Sequence, residues 1–207
     1  MTVEIRPQHA DEADAAMRVI CAAFGAEGTK VVDVWAAVVA RGLDRAQLVA
    51  VGNDDLVVGH VGLSHGWLDA RRALVDVLVL SPLGVAPDRQ AAGIGTALLA
   101  AAVVEAERLG APMVVLEGDP GYYSRRGWVP GAEHGIEAPS ARVPGPAFQV
   151  VLLEGHEEWM TGRVVYREVW WEHDATGLRD PLLAQVEGVL TRRSRPAAPR
   201  WQGAPGR

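Results

Sequence analysis

The chain is 207 residues long, a length for one large domain or a domain with an appendage, and its 49% hydrophobic and 22% charged content excludes wholesale disorder. With 26 acidic against 20 basic side chains the net charge is -6. That argues against a general nucleic-acid binder while leaving room for a local anion site built from backbone amides and a few arginines. The longest uncharged stretch, Gln90 to Val104, has 15 residues and is interrupted by Gln90, Gly93, Gly95 and Thr96. A membrane span needs about 20 apolar residues, so none is expected. Met1 to Pro7 lacks a basic region followed by an apolar one, and the one cysteine, Cys21, permits neither an intrachain disulfide nor a multi-cysteine zinc site. These features predict a cytoplasmic protein with no metal.

Val3 to Arg6 reads as a short first strand. Ala13, Met17, Ile20, Cys21 and Phe24 then recur at helical spacing, with Gly25 closing the segment, so Cys21 is expected as a structural thiol on the apolar face. A second helix is expected over Val31 to Arg41. Gln47 to Gly52 and Leu56 to Ser64 form β-rich runs around the turn residues Gly52-Asn53-Asp54-Asp55. Leu74 to Val85 is a longer strand containing Pro82, and an interior proline implies a bulge, an edge or a parting of strands. A helix over Gly93 to Leu109 follows, with apolar positions Ile94, Leu98, Leu99, Val103 and Leu109. Met113 to Glu117 is a strand with an acidic end, Gly121 to Arg126 a helical turn or two, and Phe148 to Glu154 a further strand. The order predicts an α/β fold with a mixed sheet flanked by helices, antiparallel early and parallel around the long helix. Residues 1–154 would form the main domain and 155–193 an extension, with a strand at Val164 to Trp171 and a helix at Pro181 to Arg193. Residues 194–207, with three prolines and two glycines, read as a disordered tail. The aromatic pairing in the Val164 to Trp171 strand suggests two buried faces and a homodimer.

The informative stretch is Leu83-Gly-Val-Ala-Pro-Asp-Arg-Gln-Ala-Ala-Gly-Ile-Gly-Thr96, between a strand and a helix. Glycines 93 and 95 let backbone approach a ligand, and the amides at a helix N-terminus favour an anion such as a pyrophosphate. A dinucleotide fingerprint fails, because Leu98 holds the third glycine position and Ala86 to Gly93 separate the strand from the helix. A P-loop fails because the only lysine is Lys30.

Three motifs in one order do resemble the GNAT superfamily of N-acetyltransferases. Gln90-Ala-Ala-Gly93-Ile-Gly95 is similar to its pyrophosphate loop, and Leu83-Gly-Val85-Ala-Pro87 to the stretch before it. Tyr122-Tyr123-Ser-Arg-Arg-Gly127-Trp128, preceded by Gly118-Asp119-Pro120, looks like a bacterial branch of that superfamily. The resemblance runs over about Val3 to Glu154. It implies central strands that splay near Pro82 and acetyl-CoA lying in the opening. Leu83, Gly84 and Val85 would face pantetheine or the thioester, and the amides of Gln90, Ala91, Ala92, Gly93, Ile94, Gly95 and Thr96 would hold the pyrophosphate. Asp119 and Tyr122 would lie beside the CoA arm, and Tyr123 would donate to the departing sulfur. Asp119 departs from the asparagine that many relatives place there.

Acetyl transfer to an amine needs a neutral nucleophile, and a lysine-like amine of pKa ~10.4 costs about 4.6 kcal/mol to deprotonate at pH 7. Glu117 is the first candidate base, followed by Asp76, His60 and His65. The acceptor site is expected to be walled by the loop Gly66 to Arg72, the segment Gly131 to Pro146 and the two early helices. The leading function is an acetyl-CoA-dependent N-acetyltransferase acting on a primary amine. A catalytically silent acyl-CoA-binding or sensing module is the alternative, and a dinucleotide-binding domain the third reading.

Overall fold

A computed structural model describes residues 3–177. The helix expected at Pro181 to Arg193 and the tail from Ser194 lie outside the described residues. Alternating side chains decide the architecture. In β4 (Leu74–Val85), Val77 and Val79 enter one apolar cluster while Leu78 and Leu80 enter another. In β5 (Met113–Glu117), Val115 joins the first, and Val114 and Leu116 the second. A sheet apolar on both faces must be covered on both. Helices α1 (Ala13–Phe24) and α2 (Gly28–Ala40) cover the first face through Ile20, Val34, Trp35 and Val38. Helix α3 (Ile94–Arg108) covers the second through Ile94, Leu98, Leu99, Ala102 and Ala106. Its buried stripe continues through small alanines, with Val103 half-buried against the same cluster, and Leu109 is not part of it but the exposed C-cap.

The mixed α/β sheet follows the order β1-β2-β3-β4-β5-β8-β6. Here β1 is Glu4–Pro7, β2 Asp44–Val51, β3 Val57–Ala70, β6 Val129–Pro130 and β8 Phe148–Leu152, while the two-residue β7 (Ile136–Glu137) lies off this path. Strands β1 to β4 run antiparallel, and β4 pairs parallel with β5, with α3 as the crossover. The parallel pairing is brief: Leu78 opposite Val114 and Val79 opposite Val115. Just beyond it, the β3–β4 register slips from Leu63–Leu80 to Val61–Leu83. One extra residue is accommodated on β4 at Ser81–Pro82, a bulge where proline's missing donor is not needed. Gly62 sits opposite, and a Cβ there would lie 2.4 Å from the ring of Trp35. The glycine therefore lets α2 seat its tryptophan on the bulge.

Two expectations are corrected. Gly66 to Ala70 is not a loop but the end of β3, and it pairs with β9 (Gly162–Tyr166). β9 takes the edge of β3 that β2 leaves after Ser64. Val164 to Trp171 is not one strand: β9 stops at Tyr166, and α5 (Glu168–Glu172) begins after Arg167. Tyr166 and Trp170 therefore both face inward, so the two-faced strand that suggested a homodimer does not form. α5 is fastened to α2 by an Arg41–Glu172 ion pair, and the Asp174 carbonyl accepts from Lys30 Nζ at 2.7 Å. Among the described residues, no helix is long and apolar enough to cross a membrane.

Candidate active site

Where β4 and β5 part, a cavity of about 960 Å³ opens. One wall is β4 from Val79 to Val85 with the end of α1 and the turn after it, Ala22 to Ala26; the other is the tip of β5 with the short helix α4 (Pro120–Tyr123). The opening follows from the bulge, since an extra residue bends and twists its strand: β4 keeps its pairing with β3 beyond Pro82 but pairs with β5 only at Leu78 and Val79. Leu83, Gly84 and Val85 line the cavity as expected. Gly84 is needed for a packing reason as well: a Cβ there would stand 3.1 Å from that of Ala23.

At one end lies the loop before α3. Ala91 and Gly93 adopt left-handed backbone, with φ of 60° and 83°, which turns the chain so that the first amides of α3 face the opening. The Gln90 side chain donates to the Val85 carbonyl at 3.1 Å and so ties the loop to β4. Gln90, Ala91, Gly93, Ile94, Gly95 and Thr96 line the cavity, whereas exposed Ala92 does not. A Cβ on Gly95 would lie 2.8 Å from the Tyr122 hydroxyl, so this glycine is required by α4 even before any ligand enters. Arg126, unremarked in the sequence, joins the same end. Its guanidinium lies 3.7 Å over the Tyr122 ring, donates from Nε to Thr96 Oγ1 at 2.9 Å, and also donates to the Tyr122 carbonyl. A fixed cation thus stands beside a helix N-terminus, a pairing suited to a phosphorylated ligand.

The middle is the turn Gly118 to Tyr123. Asp119 lines the cavity, but its Oδ1 caps α4 by accepting from the Gly121 amide at 2.8 Å. Tyr123 packs edge-on to Tyr122 and to Trp128, with ring centroids 4.9 and 6.1 Å away. A Cβ on Gly118 would lie 2.1 Å from its ring, so Gly118 leaves the space that Tyr123 fills.

At the far end stands Glu117, the last residue of β5. Its Oε2 accepts from the Gly177 amide at 3.0 Å, and the carboxylate also accepts the Tyr166 hydroxyl. Burial, with the negative charge of Glu117 and that hydrogen bond, pushes the phenol well above its ordinary value, so Tyr166 stays a donor. Trp170 completes the end, its ring 5.8 Å from Tyr166.

The other candidate bases are elsewhere. His60 is fully buried on β3 against Trp35, and burial depresses its pKa to about 3, so it is neutral. His65 bonds Asp76 at 2.9 Å and Arg167 at 3.2 Å. Because Arg167 can only donate, the imidazole proton belongs on Nε2, facing Asp76. None of these three lines the cavity, and neither does the segment Gly131 to Pro146; of the two early helices only the end of α1 does. Cys21 is half-buried and also outside it. Among the described residues no group of three or more His, Cys, Asp or Glu could hold a metal ion.

A mixed sheet with splayed central strands and an amide-rich loop at the opening defines an acyl-CoA-type transferase architecture, and the comparisons identify it. Residues 4–131 match the model of the acetyltransferase (GNAT) domain, and the chain belongs to that family. A GNAT family N-acetyltransferase from Escherichia coli (YhbS), solved in complex with CoA, superposes with a TM-score of 0.72 at 23% identity. That match covers 81% of this chain and 91% of the other. A GNAT family acetyltransferase from Brucella melitensis, solved with acetyl-CoA, gives 0.64 at 27% identity, over 82% of this chain and 98% of that one. No curated protein matches the chain.

Proposed function

We propose that the protein is an N-acetyltransferase that moves the acetyl group of acetyl-CoA to a primary amine. The observation that carries this is a cavity with an anion-suited loop at one end, Tyr123 on the turn in its middle and Glu117 at its far end. The residues present suit the co-substrate. The amides of Ile94, Gly95 and Thr96 with Arg126 supply positive potential for a pyrophosphate, and the unpaired edges of β4 and β5 offer backbone partners for an amide-bearing arm. The relatives crystallised with CoA and acetyl-CoA support the same placement.

In this reading the amine nitrogen attacks the thioester carbonyl, forming the C–N bond as the C–S bond breaks. The electron pair leaves on sulfur, where the Tyr123 hydroxyl donates a hydrogen bond or its proton; the proton lost by the amine goes to Glu117, directly or through water. Glu117 is placed for that role as the carboxylate at the tip of β5, next to the turn that carries Tyr123. Tyr166 is a positioning residue that holds that carboxylate. The test is release of free CoA thiol across a panel of primary amines. Acetyl-CoA binding without release for any amine would favour a silent acyl-CoA-binding module instead, and stabilisation by NAD(P) but not CoA would favour a dinucleotide-binding domain.

A further inference from the structure

The far end of the cavity is bounded by a turn that lies beyond the residues of the family match. After α5 the chain folds back through a helix-ending turn. In it the Asp174 amide donates to the Trp171 carbonyl at 3.0 Å, and the Ala175 amide to the Trp170 carbonyl at 2.7 Å. The residue at this position takes left-handed backbone and is ordinarily glycine. Here it is Asp174, with φ of 47°. Its carbonyl accepts from Lys30 Nζ of α2, and its carboxylate pairs with Arg142, so both oxygen-bearing groups are held by residues outside the cavity. The turn then sends Ala175 to the cavity wall and sets the Gly177 amide 3.0 Å from Glu117 Oε2. A Cβ on Gly177 would lie 3.2 Å from that of Arg142, so one arginine supports the turn at Asp174 and at Gly177. A left-handed non-glycine residue persists where its surroundings hold it, and such positions gather at functional sites.

Resting on the reading of Glu117 as the base, we infer that Asp174 is a positioning residue for it: its left-handed turn, held by Lys30 and Arg142, carries the Gly177 amide to the Glu117 carboxylate. A donor aimed at a carboxylate favours its ionised form, which a base requires. The Tyr166 hydroxyl from β9 is the second donor to Glu117, and Asp119 and Tyr123 line the same cavity from the turn after β5. Glycine at 174 would make the turn more easily, but aspartate adds the contact to Arg142 that fixes where Gly177 falls.

The test is a carboxyl NMR titration of the full chain carrying labelled glutamate, with the Glu117 resonance identified by its loss in Glu117→Gln. Asp174→Val removes the carboxylate and disfavours left-handed backbone, whereas Asp174→Gly removes the same charge and favours that backbone. The valine variant should raise the pH at which Glu117 titrates by about one unit, and the glycine variant should recover at least about half of that shift. Loss of a negative charge by itself would move the titration downward, and equally in both. The acidic limb of the pH–rate profile should follow the same order, with KM for acetyl-CoA within about twofold. Melting profiles establish that each variant is folded, and Asp174→Ala, a milder penalty on the same backbone, takes the place of valine if that variant is not. No upward shift with valine or alanine, or an equal shift with glycine, overturns the inference. Ordered NMR shifts beside an unmoved pH–rate limb support the hold of this turn on Glu117 and count against Glu117 as the base.

Discussion

The two ends of the cavity are built by different means. The α3 end is made of one short stretch, residues 89 to 96 without Ala92, presenting backbone amides, with a further guanidinium delivered from Arg126. The Glu117 end is made of side chains from β5, β9 and α5, residues as far apart as 117, 166 and 170. Backbone recognition needs a loop conformation and tolerates most side chains; side-chain recognition needs particular residues held by tertiary packing. A fold can therefore keep its first end while varying its second, which suits a shared donor and differing acceptors.

Substitutions at each end should separate these roles. The largest effect is expected from Tyr123→Phe, which keeps the ring and removes the donor: kcat should fall by at least about tenfold, and up to ~10⁴-fold, with acetyl-CoA affinity within a few-fold. Near-normal turnover where chemistry limits the rate would make Tyr123 a packing residue. Gly118→Ala should approach the same loss by displacing the Tyr123 ring, because the added methyl falls 2.1 Å from it. At the loop end, Gly95→Val should weaken acetyl-CoA binding by about tenfold or more, seen as a lost thermal shift in a protein that still folds. Part of that loss should come from Tyr122: the milder Gly95→Ala should bind better when combined with Tyr122→Phe, which removes the hydroxyl 2.8 Å from the new Cβ. If the double variant gains nothing, the crowding is not at Tyr122.

Tyr166→Phe should spare acetyl-CoA binding and reduce kcat/KM by less than about tenfold. It should also move the acidic limb of the pH–rate profile upward, because a carboxylate that loses a donor is more easily protonated. An unmoved limb would detach Tyr166 from Glu117's function. The smallest effect on turnover belongs to His60, which lies opposite Gly84 beneath the cofactor wall. Its folded pKa of about 3 lies below the ordinary 6.5, so the folded state binds less proton than the unfolded one between those values. Stability is then fully present above pH 6.5 and declines by up to about 1.4 kcal/mol per pH unit as pH falls toward 3. His60→Leu should flatten that slope in denaturant titrations at pH 5 and pH 7 and leave kcat near its original value. An unchanged slope would place the acid sensitivity in another group.

The sequence made the first end legible because its determinants are local. Pro82 marked the bulge, Gly93 the left-handed turn and Gln90 the loop, all within fifteen residues. The second end resisted because its spacing is ambiguous. Tyr166 and Trp170, like Val165 and Val169, are four apart, which satisfies both strand alternation and helical stacking. Only the pairing of β9 with β3 settles that the strand ends at Tyr166. Arg126 was hidden for another reason: nothing in a surface arginine's neighbours tells that it will fold back over Tyr122.

The exchange of β2 for β9 along one edge of β3 also bears on handling the protein. The family match ends at residue 131, which invites trimming there or at 154. Such a fragment would lose β9 and leave Gly66 to Ala70 with an open row of amides and carbonyls beside apolar Trp67 and Leu68. An exposed edge of that kind templates pairing with the same edge on another molecule. Shortened versions should therefore accumulate as insoluble aggregates, and those kept in solution would lack the Tyr166 hydroxyl that Glu117 accepts.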